Sequence, residues 1–158
     1  MEFDGRELRN ALGRFATGVC LITTVSEEGE ALALTANSFS SVSLDPPLVL
    51  WNLQNNSDVY DSFARPRYFA INVLSSEQME HSNRYAKKGE HQLAPEHFQP
   101  GRHGAPVIHD ALVCFECELD ATHEGGDHLI IVGRVHDMLA RPDGDPLLFY
   151  SGAYRELR

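Results

Sequence analysis

The feature that most limits what this chain can fold into is its density of strand-forming runs, with few helices between them. Val19 to Val25, Ala31 to Leu34, Leu48 to Leu53, Tyr68 to Leu74, Ala111 to His123, Leu129 to Ala140 and Leu147 to Tyr154 are rich in β-branched, aromatic and other apolar residues. Turn chemistry separates them: Ser26-Glu27-Glu28-Gly29-Glu30 joins the first two, and Gly125-Gly126 lies between the two longest. Consecutive runs therefore read as hairpins. A parallel sheet needs a crossover helix after nearly every strand. The helical patterns are too few and too short for that. They are Leu8, Leu12 and Phe15 behind the capping pair Asp4 and Glu7, a stretch from Asp58 to Ala64 capped by Ser57, and one from Glu77 to Lys87 capped by Ser75 or Ser76. The expected architecture is mainly β, an antiparallel barrel flanked by a few short helices.

With 158 residues, 42% of them hydrophobic, the chain has material for one core, so residues 1–158 read as a single domain. The net charge of -10 excludes duplex nucleic acid and anionic membrane surfaces as main partners, because both reward clustered lysine and arginine. The first residues lack the basic and apolar segments of a secretory signal, and no apolar run reaches the roughly 18–20 residues that span a bilayer. A cytoplasmic location is expected. Neither G-x-G-x-x-G nor G-x-x-x-x-G-K-[ST] occurs, so a nucleotide here is not held in the Rossmann or P-loop manner.

The three cysteines make no disulfide framework. Cys114 and Cys117 form C-x-x-C within a strand-like run, where residues three apart point to opposite faces, so they are expected to be core-filling thiols and not metal ligands. The stretch from Lys88 to Pro106 reads as a long loop over the site or at a subunit contact. Its histidines, with His109 beyond it, recur every six positions at His91, His97 and His103. Close ligand pairs are absent, so these read as exposed loop histidines and no metal is expected.

One stretch stands apart. Leu34-Thr35-Ala36-Asn37-Ser38-Phe39-Ser40-Ser41-Val42-Ser43-Leu44-Asp45-Pro46-Pro47 begins as a strand, loses its bulk, becomes a run of small hydroxyl and amide residues, and ends on two prolines. Small residues let a flat ligand approach the backbone, while Ser, Thr and Asn side chains satisfy a polar ring edge. Ser57, at the expected start of a helix after Asn55-Asn56, reads either as a plain helix cap or as a seat for a phosphate, and the second reading makes the flat ligand a nucleotide.

Phe15-Ala16-Thr17-Gly18-Val19, the Leu34 to Pro47 stretch, Phe69-Ala70-Ile71-Asn72-Val73-Leu74, Gly126-Asp127-His128 and Phe149-Tyr150-Ser151-Gly152 occur in that order. Together they resemble the short-chain flavin reductase family, the reductase components of two-component flavin monooxygenases, from about residue 8 to 154. The resemblance implies an FMN-binding split barrel, usually a homodimer, that moves hydride from NADH or NADPH to FMN or FAD. It implies that Thr35, Ala36, Asn37, Ser38, Ser40 and Ser41 line the isoalloxazine and ribityl chain. Asn52, Asn55 and Ser57 would reach the ribityl and phosphate end, with Tyr85 as a further flavin neighbour. His128 would contact the nicotinamide nucleotide as the catalytic positioning group, with Tyr150 and Tyr154 bordering the same pocket. Many relatives carry an arginine near the position of Ser151, which leaves the nucleotide preference at that end open. Direct hydride transfer between stacked rings needs no strong general base, consistent with the lack of a triad or carboxylate pair. A flavin-dependent monooxygenase receiving the reduced flavin is the expected partner. The competing readings are a tightly flavin-bound oxidase of the pyridoxamine-phosphate type and a non-catalytic flavin or haem carrier on the same fold.

Overall fold

The computed structural model describes residues 2–157. In chain order the elements are α1 (Gly5–Leu12), β1 (Thr17–Gly18), β2 (Cys20–Val25), β3 (Ala31–Ala36), β4 (Ser40–Leu44), β5 (Pro47–Gln54), α2 (Tyr60–Ala64), β6 (Tyr68–Val73), α3 (Met79–Tyr85), β7 (Phe98–Pro100), β8 (Pro106–Ile108), β9 (Val113–Gly125), β10 (His128–Ala140), β11 (Leu148–Tyr150) and β12 (Ala153–Arg155). The main sheet has seven strands in the order β3-β2-β6-β9-β10-β5-β4, and every pairing in it is antiparallel. This is the antiparallel split barrel anticipated above. Its two terminal strands, β3 and β4, are consecutive in the chain, and the short connection Asn37 to Phe39 passes between them.

Strand β2 shows why the sheet lies at the centre of the molecule. Neighbouring side chains point to opposite faces, and here both faces are covered. Cys20 and Ile22 join the barrel interior with Trp51, Leu53, Phe63, Phe69, Ile71 and Ile131. Val19 and Leu21 join a second cluster with Ala33, Leu74, Tyr85, Leu93, Ile108 and Leu147. The continuous apolar run of β2 thus reflects burial on two sides.

Cys114 and Cys117 obey the same alternation. Cys117 lies in the barrel interior, whereas Cys114 packs with Ala70, Ala105 and Val107 in a small outer cluster. Burial pushes both thiols, and that of Cys20, up to about 12.

Several local expectations change. The terminal run from Leu147 to Tyr154 is not one strand but the hairpin β11–β12, turned by Ser151 (φ 50°) and Gly152 (φ 77°). The small-residue stretch contains a true edge strand, β4, paired with β5. Helix α2 has five residues and starts at Tyr60; Ser57 does not cap it, its hydroxyl instead accepting the Val59 N–H at 3.3 Å. Ahead of α3, Gln78 Oε1 accepts the Ser75 backbone N–H at 3.0 Å, the reciprocal half of a capping box, while the Ser75 hydroxyl itself makes no cap bond. The 88–106 segment carries a 3-10 turn (Pro95–His97), β7 and the start of β8, and buries Leu93, Ala94 and Ala105. Two of its histidines are not exposed. His91 retains 5% exposure, and half-buried His97 stacks on His81 at 4.2 Å between ring centroids.

Candidate functional site

Where the end of β3, the middle of β5 and the start of β10 converge, they leave a cavity of about 420 Å³. One wall is Leu34, Thr35 and Ala36 of β3 followed by Asn37 and Ser38. Trp51, Asn52 and Gln54 of β5 form the floor, continued by Asn56, Ser57 and Asp58. Ala86, Lys88 and His91, which follow α3, close another side, and His128 stands at the rim.

Local bonds explain the shape. Asn52 donates its backbone N–H to Ser38 Oγ at 2.9 Å, drawing the connection between the barrel's two edges onto β5. Thr35 Oγ1 donates to the Ser82 carbonyl at 2.7 Å and fastens β3 to α3. His128 is paired with Gln54 across the β5–β10 ladder. Asn55 N–H donates to the Asp127 carbonyl at 2.9 Å and Asn55 Nδ2 to the Gly126 carbonyl at 3.2 Å, clamping the turn that presents His128. Asp127 Oδ1 accepts from His128 Nδ1 at 2.7 Å, a hydrogen bond that also lowers the Asp127 carboxyl below its usual range. The imidazole is thereby oriented through one nitrogen and keeps the other free.

Thr35, Ala36, Asn37, Ser38, Asn52, Ser57 and His128 therefore meet at one cavity. The remaining expected site residues lie elsewhere. Ser40 and Ser41 are exposed on β4, where Ser40 Oγ donates to the Ser41 carbonyl. Asn55 serves the β9–β10 turn instead of lining the cavity. Tyr85 is fully buried behind it; its hydroxyl accepts the Ala94 N–H at 3.0 Å and meets His97 Nδ1 at 2.8 Å, which leaves no face for a ligand. The Tyr154 hydroxyl is held by Ser82 Oγ at 2.6 Å and Asn83 Oδ1 at 3.0 Å, and the guanidinium groups of Arg14 and Arg155 lie 5.6 and 5.9 Å from the centroid of the Tyr150 ring. Within one chain the terminal hairpin thus packs on α3 and the N-terminal segment, away from the cavity.

The cavity also includes residues that local patterns did not mark. Asp58 Oδ2 accepts the Gly89 N–H at 2.7 Å, and Asp58 Oδ1 lies 3.0 Å from His91 Nε2. Desolvation raises the Asp58 carboxyl, but the Gly89 N–H and the charge of His91 outweigh it and hold the group below its usual range. Lys88 is the one lysine or arginine lining the cavity, and it forms no ion pair among the described residues.

A flat polar ligand with a hydroxylated tail fits this lining. The ledge is small, and two residues of the floor carry buried polar atoms without partners: the donor Trp51 Nε1 and the acceptor Asn52 Oδ1. Neighbouring strand residues point to opposite faces, and the Trp51 side chain belongs to the barrel interior, so of the two it is Asn52 that leaves an unpaired acceptor at the lining. Trp51 also fills the core against Phe63 with ring centroids 5.9 Å apart, so it serves packing and floor together. Among the described residues no group of three or more His, Cys, Asp or Glu is arranged to hold a metal ion.

Residues 12–158 match the family described as flavin reductase like domain. The chain belongs to that family. It is 44% identical over 151 residues to "FMN reductase (NADH) SmoA" of Agrobacterium fabrum, covering 96% of this chain and 85% of that protein. To "Flavin-dependent trigonelline monooxygenase, reductase component" of Acinetobacter baylyi it is 38% identical over 149 residues, 94% of this chain but 48% of that protein. The chain thus spans most of the first relative and about half of the second. Among solved structures, Streptomyces globisporus NADH:FAD oxidoreductase SgcE6 in complex with NAD and FAD fragments superposes with a TM-score of 0.92 at 32% identity, over 100% of this chain and 98% of that one. Family membership agrees with the split barrel and with a cavity that joins the small-residue ledge to the Gly-Asp-His turn.

Proposed function

We infer that this chain is an NADH-dependent flavin reductase that supplies reduced flavin to a monooxygenase. The observation that carries this reading is the single cavity shared by the ledge from Thr35 to Ser38 and by His128. NADH as donor rests on relatives named for it, the Agrobacterium protein above and an NADH-dependent flavin reductase of Rhodococcus. The monooxygenase partner rests on relatives named as reductase components or subunits of such enzymes. Relatives named for FMN and for FAD both occur, so the donor is the better supported half of the pairing.

The flavin supplies the hydride-accepting ring. What the protein does is hold and orient. Thr35, Ala36, Asn37 and Ser38 give the ring a ledge without bulk, and Asn52 and Ser57 on the same lining lie toward the ribityl and phosphate end. Fixing the geometry of two reactants can contribute about 7–11 kcal/mol of a barrier, so positioning alone accounts for catalysis without a strong base. His128, steadied by Asp127 and clamped through Asn55, meets the nicotinamide nucleotide at the open side. The oxidase reading needs a further cluster of basic residues for a substrate phosphate, and one lysine lines this cavity. The experiment mixes the protein with FMN or FAD and with NADH or NADPH at limiting oxygen. Flavin absorbance is expected to bleach with NADH; persistence of the yellow colour in every pairing rejects the enzyme.

A homodimer accompanies this reading. Helix α1 buries none of its residues, and Leu12 and Phe15 keep 66% and 79% of their surface exposed; Leu44, Met138 and Leu139 are also exposed apolar side chains. Exposed apolar area of this kind marks a protein contact. Sedimentation velocity is expected to give twice the 17.6 kDa chain mass. A monomer at micromolar concentration rejects the dimer.

A further inference from the structure

We propose that Asp58 is a positioning residue for the anionic end of the flavin: its carboxylate ties the segment after α3 across the cavity and so holds Lys88 where a phosphate ester would lie. This rests on the flavin reading above and adds to it the group that recognises the phosphate and the group that aims it.

The segment is stitched down from two sides. On one, Ala33 donates its N–H to the His91 carbonyl at 2.9 Å, Leu93 donates to the Ala31 carbonyl at 2.8 Å, and Leu32 pairs with Gln92 in an isolated antiparallel bridge, so residues 91–93 are fastened along β3. On the other, Asp58 takes the Gly89 N–H and faces His91 Nε2. Lys88 precedes Gly89, so its backbone is fixed within one residue of the carboxylate. The turn's own bonds, Lys87 N–H to the Arg84 carbonyl at 3.4 Å and Glu90 N–H to the Lys87 carbonyl at 3.1 Å, shape it locally, and Asp58 is what ties it across to the segment after β5.

The charges follow from the same bonds. His91 Nδ1 lies 3.0 Å from the Ala33 carbonyl, which only accepts, so this nitrogen donates. His91 Nε2 faces the Asp58 carboxylate at 3.0 Å, so with the Gly89 N–H that carboxylate already has its partners within the wall. Lys88 forms no ion pair among the described residues, and a flexible ammonium group suits a phosphate oxygen. Helix α2 does not take that role, because it has five residues and begins at Tyr60, beyond the cavity lining.

The sign of the Asp58 effect separates this role from a bystander's. A carboxylate that merely sat near a phosphate would repel it, and its removal would tighten binding. One that aims Lys88 is needed for binding. The test titrates FMN and riboflavin, which lacks the phosphate, into wild-type protein and the variants Lys88→Ala, Asp58→Ala, Asp58→Asn and the double alanine variant, following flavin fluorescence. Loss of one charge-assisted contact predicts that Lys88→Ala weakens FMN about tenfold or more and leaves riboflavin unchanged. Asp58→Ala is expected to do the same, and the double variant to lose no more than either single one, since both act through one contact. Asp58→Asn, which keeps an acceptor for Gly89, should fall between. Three results overturn the proposal: FMN binding that is unchanged or tighter in Asp58→Ala, equal losses for FMN and riboflavin, or additive losses in the double variant. Wild-type protein that binds neither flavin rejects the flavin reading itself and this inference with it.

Discussion

Replacing His128 with alanine is expected to lower NADH-dependent flavin reduction by about a hundredfold, the cost typical of misplacing one reactant by an ångström or so. Flavin affinity is expected to stay within about twofold, a change of under half a kilocalorie per mole. The separation follows from the geometry. His128 stands at the rim, at the end of the β5–β10 ladder, while the ledge and the Asn52 floor are held by Ser38, Thr35 and α3. Removing the imidazole leaves those bonds intact and deprives only the second nucleotide of its contact. Stopped-flow reduction at several NADH concentrations, beside a flavin titration, reads both quantities. If flavin affinity falls as far as the rate, His128 belongs to the flavin site. If the rate is unchanged, the imidazole is a space-filling group at a strand end.

The largest stability loss is expected from Asn72→Leu. Asn72 lies fully buried on β6 and joins three elements. Its Nδ2 donates to the Leu21 carbonyl at 3.0 Å and to Thr23 Oγ1 at 3.1 Å, and its Oδ1 accepts the Ile108 N–H at 3.0 Å. Thr23 Oγ1 donates in turn to the Pro106 carbonyl at 2.6 Å. This one amide therefore fastens the segment containing β8 to the outer face of the sheet. Leucine leaves a buried donor and a buried acceptor without partners, at about 1–3 kcal/mol each. The loss should be about 3 kcal/mol, a large fraction of the 5–15 kcal/mol that typically separates folded from unfolded chains. Urea unfolding followed by circular dichroism checks it; a shift below about 1 kcal/mol would show that water or a rearranged neighbour satisfies both groups.

What could be read from the sequence divides along the range of the interactions involved. The strands β2, β3, β5, β6, β9 and β10 were legible because apolar alternation and turn residues are local. Their antiparallel arrangement followed from the lack of crossover helices. Strand β4 was hidden, since backbone pairing with β5 is indifferent to how small Ser40, Ser41 and Ser43 are. The β11–β12 hairpin was hidden because its turn needs only two residues, and Ser151 is not a strong turn signal. In the site, Thr35 to Ser38 and His128 were reached through short motifs. Tyr85, Tyr150 and Tyr154 were drawn toward the site by resemblance to a family, but the hydroxyls of Tyr85 and Tyr154 are spent on packing partners, and the Tyr150 ring packs near Arg14 and Arg155. Lys88 and Asp58 carried no local mark of a site, and His91 was marked only as one of a recurring set read as exposed. A lysine after a helix, an aspartate before one and a histidine in a loop are ordinary, and only the closure of β3 against the segment from His91 to Leu93 brings them to one wall.

Strands β3 and β4 lie at opposite ends of the sheet order yet are neighbours in the chain. The ledge between them is therefore in place only after every intervening strand has found its partner. A half-folded chain has no half-formed site, and there is nothing for a cofactor to grip until the circuit is complete. Ligand occupancy is then coupled to the whole cooperative unit and not to one loop. In a cell short of flavin, the same chain would be easier to unfold everywhere at once, and its abundance would follow the supply of the molecule it handles.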